Sequence, residues 1–348
     1  MFCFGLVMIN RLLVYFGKEW RSSKGRGWIA REFYRGLTTK SQCLYDRARF
    51  DTEKFVTDWE RLNINVNGQY RELLDDKLTF SKVFQNDLPL VKSLGIIHES
   101  RFFPEGDSQV AGGSVEEAVR GLLERWGKVV IKAVRGHSGR SVWILESTKG
   151  NTVSINRKEL EFCEVIERIQ SFPGTKIVTE FVNQGGFPEA LYPNSLNTIR
   201  VLTLFDEKGP FVGGAVYRIG NRKSAPLDNF SAGGFSAYIG DDGVLGGAAE
   251  YLGNKGVRWH DEHPETARRI KGAVIESWNE IRERLLTVAR IWPVLKMIGW
   301  DVVQTKNSFQ IIEANNVPDL DLLQVHKPLL LDERVRKFFY ENSICKRK

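Results

Sequence analysis

The sequence predicts an α/β or α+β protein, and three observations carry that expectation. From Ile96 onward, short β-rich runs alternate with segments whose apolar residues recur at helical spacing. The 348 residues are 42% hydrophobic and 27% charged, the balance of a globular chain that buries a sizeable core. No apolar run approaches the roughly 20 residues that span a bilayer. The length allows two or three domains, since single cores stop growing at about 250–300 residues. No internal repeat is present.

In chain order, the segment up to about Leu94 reads as helices joined by turns at Gly36, Asn65 and Gly68. Ser114 opens a helix through Trp126, with Glu117 three residues on as a capping box. Lys128–Val134 is a buried strand, and Ser141–Leu145 is its hairpin partner. Between them runs Arg135-Gly-His-Ser-Gly-Arg140, a turn rich in glycine and cations. Lys176–Val182 is a further strand, ended by Gly185-Gly186 and Pro188. Thr198–Phe205 and Phe211–Ile219 form a hairpin across Asp206–Gly209. The spacing predicts a long helix from Pro264, with Ile270, Val274, Ile281, Leu285 and Val288 on one face. Two short strands around Asp301 and Phe309–Ile312 close at Lys306–Ser308 as a last hairpin.

Charge is unevenly placed. The first 50 residues hold ten basic and three acidic side chains, which accounts for the whole formal net charge of +7. This basic stretch follows an apolar opening, Phe2 to Phe16, and suits either a solvated helix packed on the body or contact with anionic headgroups or a polyanion. Phe2–Phe16 also resembles a signal core, but Arg11 interrupts it and no small-residue cleavage site follows, so secretion is not expected. Cys3, Cys43, Cys163 and Cys345 are far apart and form no C-x-x-C pair, which fits a reducing cytosol. Among five histidines, His260 and His263 lie closest, flanking a proline turn as structural or substrate-loop residues.

Three patterns carry chemistry. If the last hairpin closes near Asn307, Asp301 and Glu313 come opposite each other, and Glu313 and Asn315 project to one face. Three oxygen-bearing side chains there make either a site for a hard cation such as Mg²⁺ or a salt-bridged sheet surface. Lys132 lies among Val130, Ile131, Ala133 and Val134, where an amine is expensive unless it meets an anion or reaches out to water. The following loop offers Arg135, Arg140 and backbone N–H groups suited to covering phosphates. Arg200 and Arg218 stand in β-rich runs, either paired with carboxylates or clamping a transferred phosphoryl group.

In this order the residues resemble an ATP-grasp enzyme, from about Leu74 to Gln324. Asp76-Lys77 before LTFSKVF resembles the segment whose lysine reaches an ATP phosphate in D-alanine–D-alanine ligases. Lys132 in VVIKAV looks like the second nucleotide lysine, and Gly136 to Gly139, with Ser138, like the phosphate-covering loop. IVTEFV resembles the adenine hinge, with Glu180 and the backbone of Phe181 and Val182 as contacts, and Glu189 is the nearest counterpart of the ribose-binding acid. Asp301, Glu313 and Asn315 match the D…E-x-N magnesium pattern. NTIRVLTL, Arg218, DNFSAGG, HPET, GWDV and the E-x-N together look most like the sugar-transfer-associated ATP-grasp family, which is implicated in building bacterial surface polysaccharides.

The resemblance implies an α+β ATP-grasp fold with a helical N-terminal region. Its divisions would be a basic region over 1–95, a small subdomain over 96–182 with the phosphate loop and hinge, and a large subdomain over 183–348. It implies ATP and Mg²⁺, with two ions, and a carboxylate–amine ligase working through an acyl phosphate. Arg200 and Arg218 would hold the γ-phosphoryl group and acceptor carboxylate, while Asn197 and Asn229 orient substrate and His263 lies on the acceptor side. The implied partners are an amino-acid amine and a carboxylate-bearing sugar or glycan. The alternatives are a peptide or small amino-acid acceptor, or a nucleotide-binding regulator of glycan assembly. Nucleic acid is not an expected partner. The expected location is the cytoplasm, with peripheral contact at the inner membrane face through the basic N-terminus. Asp301→Asn and Glu313→Gln are expected to abolish turnover without disturbing the fold.

Overall fold

The computed structural model describes residues 35–345, apart from 107, 137–140 and 149; within them the chain is a mixed α/β protein built on two antiparallel sheets. The apolar opening and most of the basic N-terminal stretch therefore lie outside the described residues. The first sheet comprises β1 (Ser93–His98), β2 (Arg101–Pro104), β3 (Gly113–Ser114), β4 (Lys128–Ala133), β5 (Val142–Ser147), β6 (Thr152–Ile155), β7 (Lys158–Glu161) and β8 (Lys176–Glu180). Its order is β3-β2-β1-β8-β4-β5-β6-β7. The helices Val115–Trp126 and Phe162–Ser171 bury Val119, Leu122, Val165 and Ile169 against Val129, Ile131 and Val178 of this sheet. Ser114 caps the first of these helices by accepting from the Glu117 N–H, and Gly127, at φ +66°, turns the chain into β4.

The second sheet takes β9 (Thr198–Asp206), β10 (Gly209–Ile219), β11 (Phe235–Ile239), β12 (Leu245–Tyr251), β14 (Met297–Gln304) and β15 (Phe309–Asn315), with β13 (Val257–His260) between β12 and β14 in the chain. From β12 its order runs β12-β11-β10-β9-β14-β15. Strand alternation divides it cleanly. Ile199, Val201, Tyr217, Ile298, Trp300 and Val302 enter one core with Ile281, Leu285 and Val288 of the helix Trp278–Ile291. Their neighbours Arg200, Arg218 and Asp301 face the other way.

Register then sets the site. Asp301 pairs with Arg200 on β9 and with Glu313 on β15. The β14–β15 ladder shifts immediately afterwards, since Val302 pairs with Ile311 and leaves Ile312 as the extra residue of a bulge. That one residue lets Ile311 enter the core while Glu313, two positions on, emerges beside Asp301.

The helix expected from Pro264 is corrected: helical structure covers only Trp278–Ile291, and Pro264 to Ser277 is irregular. The backbone N–H groups of Ile270 and Lys271 both bond to Asp261, while Gly272, at φ +83°, exchanges backbone bonds with Leu245 through itself and Ala273. Ile270 and Ile275 are buried by this folded loop, whereas Val274 is 53% exposed, so their helical spacing was coincidental.

The chain divides into two units, Val66–Glu250 with His260–Pro318, and a second drawn from the flanking residues and Tyr251–Trp259. Both sheets' site residues belong to the first. In the second unit, Gln324 bonds to both backbone groups of Val56 and to Tyr45, whose ring stacks on Phe55 at 4.4 Å. Among the described residues no helix is long and apolar enough to cross a membrane.

Gly299 precedes Asp301 by two residues, and a Cβ there would lie 2.4 Å from the Pro318 Cβ. Gly299→Ala is therefore expected to destabilise the protein by about 1–3 kcal/mol in chemical denaturation, the range for overpacking. An unchanged midpoint would show that Pro318 moves freely.

Candidate active site

Two arginines and two carboxylates form a continuous buried network on the polar face of the second sheet. Arg200 reaches Asp301 through Nε to Oδ1 and through Nη2 to Oδ2 at 3.0 Å. Arg218 donates from Nη1 to the same Oδ2 at 3.0 Å and pairs through Nη2 with Asp228 Oδ1 at 2.6 Å. Asp228 in turn accepts from the backbone N–H and hydroxyl of Thr198. Burial pushes the Asp301 carboxyl up, but the guanidiniums of Arg200 and Arg218 more than offset it and hold the group below the usual carboxylate range. At Asp228, burial prevails over Arg218 and Thr198 and raises the pKa. Arg218 Nε is buried without a partner.

Next to this network stand two lysines from different elements. Lys77 begins the helix Lys77–Phe84, whose N-cap Asp76 accepts from Thr79 N–H. Its amine donates to the Gly136 carbonyl at 3.1 Å and lies 3.5 Å from Glu313. Lys132 on β4 points its amine at the Ile312 carbonyl, 3.5 Å away. Burial lowers the Lys132 pKa to about 8, Lys77 adds to the shift, and Glu313 and Asp301 oppose it. The structure thus brings Lys77, Lys132, Arg200, Arg218, Asp301 and Glu313 into one cluster.

Other sequence-nominated residues are placed differently. Arg135 is exposed and held by Glu72 at 2.8 Å and Asp76 at 3.1 Å. Ser138 and Gly139 lie outside the described residues. Glu180 accepts from Lys92 N–H and from Gln310, tying the end of β8 to β15. The Phe181 ring takes the Lys128 amine 4.1 Å from its centroid, Val182 is buried with Val91 and Val303, and Glu189 is exposed on the short helix Phe187–Leu191.

Asn197 is wholly buried. Its Nδ2 faces the carbonyl oxygens of Pro188, Tyr192 and Ser195 and the Gln184 side chain, and its Oδ1 accepts from Gly220 N–H. Every polar atom of its amide thus holds the surrounding loops together. Asn229 caps the single turn Phe230–Ala232 by accepting from Ser231 N–H. His263, expected on the acceptor side, is fully buried: Nε2 donates to the Gly220 carbonyl at 3.0 Å, and Nδ1 accepts from Glu265 N–H. Burial lowers its pKa.

The donor set can be tested against a magnesium ion on its own chemistry. Glu313 and Asn315 offer oxygens from one face, and Asn315 Nδ2 is buried without a partner. Two carboxylates and an amide are hard donors suited to a hard cation; no cluster of three His, Cys, Asp or Glu is present among the described residues. The set fits Mg²⁺, with Asp301 the member already committed to arginine. Sequence reasoning missed Asp228 as the second carboxylate of the network, although it opens the DNFSAGG run directly after Pro226-Leu227.

The model of the family described as sugar-transfer associated ATP-grasp matches residues 60–338. The chain belongs to the sugar-transfer associated ATP-grasp family. No curated protein matches it. Solved structures do resemble it at low identity. D-alanyl-alanine synthetase A from Vibrio cholerae is 13% identical, with a TM-score of 0.44, covering 76% of this chain and 65% of its own. Biotin carboxylase from Campylobacter jejuni is 14% identical, with a TM-score of 0.44, covering 80% and 48%. An ADP complex of N5-carboxyaminoimidazole ribonucleotide synthetase is 10% identical, with a TM-score of 0.41, covering 73% and 47%. The chain thus spans about half to two thirds of the length of these proteins.

The network makes Asp301 a structural as well as a chemical residue, which corrects the expectation that Asp301→Asn leaves the fold undisturbed. Asp301→Asn would leave two buried guanidiniums facing a neutral amide and is expected to lower stability by about 3–5 kcal/mol. Glu313→Gln, at a half-buried position, is expected to change it by less than about 1 kcal/mol. Denaturant melts of the two variants check this, and equal losses would contradict the network's role.

Proposed function

We propose that the protein is an ATP-dependent carboxylate–amine ligase that joins an amino acid to a carboxyl-bearing sugar or glycan through an acyl phosphate. The observation that carries this reading is the convergence of Lys77, Lys132, Arg200 and Arg218 around Asp301 and Glu313. Such a cluster suits anions and, among the described residues, contains no activated serine or cysteine, which fits chemistry done by positioning and electrostatics.

In this proposal Lys77 and Lys132 bind the nucleotide phosphates, and Arg135, Gly136, Ser138 and Gly139 cover them. Glu180 and the Phe181 and Val182 backbone face the base, and Glu189 faces the ribose. Asp301, Glu313 and Asn315 hold magnesium, which when bound neutralises charge on the phosphates. Arg200 and Arg218 exchange Asp301 for the γ-phosphoryl group and the acceptor carboxylate, while Asn197 and Asn229 keep their loops in place. A carboxylate oxygen then attacks the γ-phosphorus and ADP leaves. The amine attacks the acyl carbon, the bond from that carbon to the phosphate oxygen breaks, and the amine's proton is lost. The nucleotide side is assigned to residues 96–182, joined by Lys77 and Glu189, and the acceptor side to the rest of 183–348, while the basic charge within 1–95 suits an anionic partner. A cytoplasmic setting at the inner membrane face follows from this reading.

The test incubates protein, ATP and Mg²⁺ with a uronic-acid oligosaccharide and pooled amino acids. Glycan-dependent ADP and phosphate release, with a glycan mass gain of one amino acid less water, is expected. ATP binding without that gain would contradict the sugar acceptor. Glu313→Gln is expected to lower turnover by at least about 100-fold, comparable to losing one strong electrostatic contact.

The lowered pKa of Lys132 adds a second check. Phosphate bound beside it restores the charged form, so at pH 8 nucleotide binding should take up roughly half a proton, and at pH 6 almost none from this group. Calorimetry in two buffers of different ionisation enthalpy measures the uptake. Lys132→Met should remove it; an unchanged value would place the titrating group elsewhere.

A further inference from the structure

A second recess lies on elements packed against the opposite, apolar face of the second sheet. It is a groove of about 420 Å³ between the short helix Phe187–Leu191 and the segment 268–273. The Phe187 ring meets Tyr217 edge-on at 5.7 Å, and both it and Ala273 pack on the core that holds Ile199 and Trp300. Arg218, the residue after Tyr217, faces the other side. The groove is therefore separate from the arginine–aspartate network.

Its walls are fixed in place. Thr266 Oγ1 donates to the Leu191 carbonyl at 2.8 Å, and the Tyr192 and His263 rings stack at 5.0 Å. The Arg268 carbonyl accepts from His263 N–H at 2.8 Å, and Ile270 is fully buried. Between these anchors Ala267 holds φ +55° and Arg268 is presented to solvent.

The lining is chemically one-sided. Phe187 and Ala190 supply apolar surface, Arg268, Arg269 and Lys271 supply positive charge, and among the described residues no carboxylate lines the groove. Arg269 and Lys271 make exposed pairs with Glu262 and Asp261, each at 3.4 Å, of a kind that is weak and easily exchanged. Arg268 makes no ion pair among the described residues. A bare phosphate would satisfy the cations and leave the apolar floor unused. A ligand with a planar carboxylate on a ring that shows C–H groups uses both, since guanidinium matches carboxylate bidentately. The volume falls within the range of small-ligand clefts, about 300–1,000 Å³.

We propose that this groove is an accessory binding site for a carboxylate-bearing saccharide, with Arg268 as its anion contact and Phe187 and Ala190 as its floor. The choice of saccharide rests on the ligase reading above; the groove's affinity for it does not need turnover. It would retain an acidic glycan while another part of the same chain reacts at the arginine network.

Calorimetry of the full chain tests this with three probes: trigalacturonate, maltotriose and inorganic phosphate, each with a saturating non-hydrolysable ATP analogue. Trigalacturonate is expected to bind in the analogue's presence and maltotriose is not, while phosphate binds more weakly than the uronate. Arg268→Glu should weaken uronate binding at least about tenfold, and Arg268→Gln should weaken it less, with analogue binding and thermal stability unchanged in both. Equal binding of maltotriose, phosphate as tight as uronate, an unaffected Arg268→Glu variant, or exclusion of uronate by the analogue would each overturn the site. Arg268-dependent uronate binding without amide formation would sink the ligase and leave the groove. Ligation with no such binding would do the reverse.

Discussion

The structure of the site depends on one buried ionic chain, Thr198–Asp228–Arg218–Asp301–Arg200. Charges taken out of water are stable only when each has a partner of opposite sign and good geometry. Here Arg200, Arg218 and Asp301 on adjacent strands meet Asp228 from the irregular segment after β10, so two guanidiniums face two carboxylates and the network closes on itself with no net charge. Strand alternation makes it compatible with a core: Ile199, Val201, Trp300 and Tyr217 pack below the sheet, and the residues next to them carry the charges above it. In the proposed reaction an incoming phosphoryl group or carboxylate would compete with Asp301 for the arginine donors. Such competition would link binding of an anion to release of a carboxylate oxygen for a cation.

The lysines extend this logic across the two sheets. Lys132 comes from β4 and Lys77 from the head of a helix, yet both amines arrive at the β15 bulge, near Ile312 and Glu313. Gln310 bonds to Glu180 at the end of β8, and Leu90 bridges to Ile311. The strand that carries the candidate metal donors is thus the strand to which the first sheet is tied. A shift of β15 by one residue would move Glu313 off the polar face and break these contacts together.

Much of this was legible in the sequence because it follows from period-two alternation. The hairpins at 198–219 and 297–315 and the pairing of Asp301 with Glu313 follow from where apolar residues and turns recur. The loops were harder. Asn197 and His263 sit in polar segments beside prolines, where such side chains look like substrate ligands. No pattern announces which backbone carbonyls they will face, and in the fold those carbonyls claim them. The helix expected from Pro264 failed for a related reason: Ile270 and Val274 keep helical spacing, but Gly272 and the bonds to Asp261 and Leu245 fold the segment into a loop. Asp228 escaped notice because its partner Arg218 lies ten residues away across an irregular connection, a distance at which periodicity says nothing.

The central claim is that a carboxylate oxygen becomes bonded to phosphorus and leaves with it. Turnover with a uronate labelled with ¹⁸O at both carboxyl oxygens, followed by mass analysis of the released phosphate, tests this directly. One ¹⁸O atom per phosphate, and ADP free of label, is the predicted result. Unlabelled phosphate alongside amide product would contradict an acyl phosphate and, with it, the role assigned to the arginine network.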